Sequence, residues 1–76
     1  MKTKYQAVVK WFIDNRRNNE LTGWMHHEPA NKFYNTYEEA LASVKKEIEY
    51  RKKSEQPVAA YKIKKFIIEE IEVVEL

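Results

Sequence analysis

The residues VAAYKIKKFIIEEIEVVEL, 58–76, read two ways, and the choice sets the architecture of the whole chain. Ala59, Tyr61 and Ile63 alternate with Lys62 and Lys64, the period-two pattern of a half-buried strand. Ile63, Phe66, Ile67, Ile71 and Val74 also recur at helical spacing. Branching at Cβ favours extended backbone and no N-cap precedes the run, so it reads as a long final strand. Its alternation fails at Phe66-Ile67-Ile68, which predicts either a bulge that switches the faces there or a break into two strands. Further on, Glu69, Glu70, Glu72 and Glu75 interleave with apolar residues as on a solvated strand face.

Immediately upstream, Pro57 forbids a helix from continuing much beyond Glu55. That helix starts at Thr36-Tyr37-Glu38-Glu39, a capping box in which Thr36 accepts an orphan amide hydrogen and Glu39 reaches back. Tyr37, Ala40, Leu41, Val44 and Ile48 form its apolar stripe, with Lys45, Lys46, Glu47, Glu49, Lys52 and Lys53 on flanking or outer positions. Arg51, Lys52 and Lys53 crowd the last turn, where cations suit the negative end of the helix dipole.

From Lys4 to Asp14, Tyr5, Ala7, Val9, Trp11 and Ile13 share one face, which predicts a first strand. Val8 and Phe12 interrupt the polar face, so that side is either covered in part or offered to a partner. The polar, Asn-rich run 14–20 reads as a hairpin loop. Leu21–Glu28 reads as a second strand paired with the first, with Gly23 marking a bulge or a close approach, and Pro29 ending it. The expected architecture is α+β: a single domain over residues 1–76, of order β-β-α-β, with a three-stranded, mostly antiparallel sheet and one helix packed on one face.

Composition supports one small core and little else. A chain of 76 residues buries only about 60% of the surface it exposes when unfolded. Two Trp, five Tyr and three Phe supply large burial per residue. The absence of Cys rules out disulfides and thiolate metal sites and fits a reducing cytoplasm. Neither a signal peptide nor an apolar run of the roughly 18 residues needed to span a bilayer is expected. Net charge is +2, unevenly placed: residues 1–65 hold all 14 bases against eight acids, and residues 66–76 hold four Glu and no base.

Chemistry-bearing patterns are weak. His26 and His27 are neighbours, and on a strand they point to opposite faces; no further His or Cys completes a zinc site. Ser43 and Ser54 lack the glycine elbow of a nucleophile, and Gly23 alone cannot cradle phosphate. The expectation is a non-enzymatic protein without metal or cofactor. For nucleic acid, Arg16, Arg17, Lys45, Lys46, Arg51, Lys52 and Lys53 offer phosphate contacts, and Trp24, Tyr34 or Tyr50 offer stacking, but Glu47 and Glu49 interrupt the bases. For a protein partner, the candidates are Val8 and Phe12 on the first strand, Phe66, Ile67 and Ile68 on the last, and the aromatic group of Trp11, Trp24, Phe33 and Tyr34. Their own burial in so small a core is the competing explanation.

The run Gly23-Trp24-Met25-His26-His27, the helix start Tyr34-Asn35-Thr36-Tyr37-Glu38-Glu39-Ala40-Leu41, and the close Tyr61-Lys62-Ile63-Lys64-Lys65 with its Glu/Val tail together resemble small accessory proteins encoded by bacteriophages. That resemblance implies binding to a host protein so as to modulate or inhibit it. The sequence-level expectation is therefore a cytoplasmic binding protein with a protein partner, able to form a homodimer through a sheet edge, and with nucleic acid binding as the alternative.

Overall fold

Three regular elements form in the computed structural model, which describes residues 2–13, 20–69 and 71–76: strand β1 (Lys2–Trp11), helix α1 (Tyr37–Arg51) and strand β2 (Val58–Ile68). β1 and β2 pair antiparallel, with Lys4 opposite Phe66, Ala7 opposite Ile63 and Lys10 opposite Ala60. Helix α1 lies on one face, and the protein is α+β.

The odd residues of β1 face the helix, as their alternation predicts. Ala7 and Val9 pack with Val44 of α1, and Trp11, Leu41, Val58 and Ile63 close around them. At one end of this layer Tyr5 meets Tyr37 edge-on, with ring centroids 6.5 Å apart. At the other, the Arg51 guanidinium sits 4.1 Å from the centre of the Trp11 ring. The helix begins where the capping box places it: Thr36 has extended backbone and its hydroxyl accepts from the Glu39 amide at 3.1 Å.

The expected third strand, Leu21–Glu28, is not formed. Residues 20–34 run along the free side of β1 but form no ladder with it, only isolated bridges from Val9 to Met25 and Tyr5 to Tyr34, and from Phe12 just past the strand to Leu21. The reason is register. Between the first two bridges the outer segment carries one residue more than β1, a bulge at Gly23 and Trp24 of the kind Gly23 predicts. There the Thr22 hydroxyl, rather than a carbonyl, takes the Trp11 amide at 3.1 Å. Between Met25 and Tyr34 the chain turns at Pro29, whose carbonyl accepts from the Lys32 amide, and no ladder can continue.

β2 departs from expectation at both ends. No bulge or break occurs at Phe66-Ile67-Ile68; the register is regular through Ile68, and the irregularity lies instead beside Lys10 and Trp11, where Val58 opposes Trp11. The strand then ends at Ile68, and residues 71–76 belong to no strand. Alternation weakens near Phe66 because the second sheet face is partly covered there. Phe33 meets Phe66 edge to face, with centroids 5.4 Å apart. Further along that face Lys10 and Lys62 stand 4.6 and 4.4 Å from the centre of the Trp24 ring.

Candidate functional site

The outer segment is fastened to the helix by a polar cluster. Glu28 accepts from the Tyr34 hydroxyl at 2.7 Å and from the Ser43 hydroxyl of α1. His27 Nε2 lies 2.8 Å from Ser43 Oγ and 3.3 Å from Glu28 Oε1. Since the Ser43 proton is given to the carboxylate, Nε2 is the donor to Ser43. Nδ1 is buried without a hydrogen-bond partner among the described residues. Beside the cluster opens a cleft of about 540 Å³ lined by His27, Glu28, Tyr34, Ser43, Lys46 and Tyr50, among others.

Electrostatics follow the bonds. Burial alone would raise the Glu28 carboxyl, but the hydroxyls of Ser43 and Tyr34, with His27 and Lys32 nearby, together outweigh it and hold the carboxyl below its ordinary value. The Tyr34 phenol is pushed up, first by burial and then by its bond to the Glu28 carboxylate. A nucleophilic serine needs its proton aimed at the imidazole and a carboxylate on the far ring nitrogen. Ser43 aims its proton at Glu28, and the far nitrogen of His27 has no carboxylate. The arrangement does the work of a clamp between helix and outer segment. Sequence reading missed it: Ser43 stands next to Val44 inside the buried arc of the helix, and that polar interruption was the available signal.

The expected docking residues are divided by the structure. Val8 is 2% exposed and belongs to the core of the second face, which corrects its reading as partner-facing surface. Phe12 and Phe66 are half-buried, Phe66 against Phe33. Trp24 remains 41% exposed although Lys10 and Lys62 approach its ring. Ile68 is exposed, as is its neighbour Ile67 at 63%.

The basic candidates are likewise divided. Arg51 is committed to Glu47 at 2.6 Å, to the Gln56 carbonyl and to the Trp11 ring. Lys52 stands 4.0 Å from Glu49. Lys45, Lys46 and Lys53 are exposed. Arg16 and Arg17, with residues 14–19 of the expected loop 14–20, lie outside the described residues.

What stands open is the far side of β2. Every bridge outside the β1–β2 ladder is made by β1 or by Phe12 just past it, so among the described residues the outer edge of β2 has no backbone partner. Past it, Ile71, Val73, Val74 and Leu76 are all exposed, Ile71 at 94%. Among the described residues, no helix is long and apolar enough to cross a membrane. No family model matches this chain, and comparison with curated proteins and with solved structures returns no match.

Proposed function

We propose that this chain is a non-enzymatic binding protein that docks a protein partner along the outer edge of β2 and the segment trailing it, in the manner of a bacteriophage accessory protein that modulates a host protein. One observation carries the reading. An eleven-residue strand whose outer edge has no backbone partner among the described residues is followed by a run whose apolar side chains lie in water. Unpaired edges template strand addition, and apolar exposure at this density marks an interaction site. Nucleic acid binding is the weaker reading, because Arg51 already holds three partners within the chain and Trp24 is flanked by lysines.

Immobilised chain of residues 1–76, incubated with a bacterial lysate with and without nuclease, tests the proposal. A protein retained in stoichiometric amount, indifferent to nuclease and lost when Ile71, Val73 and Leu76 are all replaced by Ser, is the expected result. Retention that disappears with nuclease, or that ignores the three substitutions, overturns it.

A further inference from the structure

We infer that β2 and the segment trailing it pair antiparallel with the same stretch of a second copy of this chain, centred on Ile67. The inference rests on the reading of the β2 edge as a docking surface and names the occupant.

Backbone geometry limits the registers. Tyr5 and Val9 each exchange both backbone hydrogen bonds with the outer segment, through Tyr34 and Met25. Hydrogen-bonding direction alternates along an antiparallel strand, so the even residues of β1 bond to β2. Their partners are Ala60, Lys62, Lys64, Phe66 and Ile68. The amides and carbonyls of Tyr61, Ile63, Lys65 and Ile67 therefore point outward. Two such edges can join only by setting odd residues against odd ones.

Among those registers, the one centred on Ile67 matches the side chains from Tyr61 to Val73. It sets Lys65 against Glu69, Lys62 against Glu72, Ile63 against Ile71, Tyr61 against Val73 and Phe66 against Ile68. Cross-strand partners share a face, so each lysine meets a carboxylate and each apolar side chain meets another. Centring on Phe66 sets Lys64 against Ile68 and Ile63 against Glu69; centring on Ile68 sets Ile67 against Glu69 and Lys65 against Ile71. Lysines on an edge strand ordinarily deter pairing. Here Glu69 and Glu72 of the trailing segment of the other copy accept them. A fold back onto its own strand is disfavoured, since residues 65–71 contain no Gly, Pro, Asn or Asp to make the turn. Two-fold symmetry repeats every pair and yields a closed, isologous interface.

Light scattering on the size-exclusion peak, over a concentration series, reads the assembly. The wild-type chain is expected at twice its 9.2 kDa mass, dissociating on dilution. Ile67→Lys, at an exposed position, sets two ammonium groups across the axis and is expected at monomer mass with unchanged circular dichroism. Lys65→Glu is expected to weaken dimerisation about ten-fold, and Lys65→Glu with Glu69→Lys to restore it. A wild-type chain monomeric at every concentration, a dimer indifferent to Ile67→Lys, or no recovery in the double variant overturns the inference. If the wild type is monomeric while lysate capture still depends on Ile71, Val73 and Leu76, the second copy is ruled out and the docking reading stands; if both experiments fail, both fall.

Discussion

The Phe33 ring stands perpendicular to the Phe66 ring, 89° between planes and 5.4 Å between centroids, and this contact ties the outer segment to the second face of β2. Neither ring could be assigned to that face by pattern alone. Together with the bonded clamp at Glu28, it fixes residues 20–34 in place of a regular third strand.

A double-mutant cycle measures that tie. Phe33→Leu and Phe66→Leu, singly and together, should give a coupling of about 0.5–1.5 kcal/mol in urea denaturation. Additive losses would mean that the rings share burial but not an edge-to-face interaction.

Val44, with no exposed surface, is the central contact between helix and sheet. Val44→Ala should cost about 2 kcal/mol through lost burial and the cavity left behind, without changing the denaturant slope. Tyr50→Ala on the same helix, 85% exposed, should change stability by less than about 0.5 kcal/mol.

The Glu28 clamp predicts an acid limb of stability. The folded carboxyl is held below its ordinary value, so its contribution is complete above the usual glutamate value of about 4.3 and drains as pH falls through the lower folded value. Denaturation series from about pH 6 down to about pH 2 should show a shallower acid loss in Glu28→Gln than in the wild type. Tyr34 works in the opposite sense: its phenol is raised, so its contribution is complete below about pH 10 and is lost as pH rises further. Tyr34→Phe should remove that alkaline limb.

Helix α1 and the helix-facing side of β1 were legible in the sequence because each is set locally. Thr36 caps at its own helix end, and Tyr5, Ala7, Val9 and Trp11 follow a two-residue period that needs no knowledge of the partner. The third strand was misread because Leu21, Met25 and Tyr34 meet β1 through register slips, which depend on where Thr22 and Pro29 place their bonds. Whether the Val8 face is covered or offered to a partner was open in the sequence, since nothing local announces what lies over it; Gln6 on the same face donates to the Ala30 carbonyl at 2.7 Å, and Val8 is 2% exposed. The clamp was hidden for a similar reason: Glu28 and Ser43 are fifteen positions apart and meet only once the helix has docked.

Amide hydrogen exchange along β2 tests most directly whether its outer edge is a pairing surface. Tyr61, Ile63, Lys65 and Ile67 should exchange slowly at high protein concentration and rapidly on dilution, while Lys62, Lys64 and Phe66, bonded to β1, stay protected at both. Rapid exchange of the four odd amides at every concentration, with or without a captured partner present, would contradict the account.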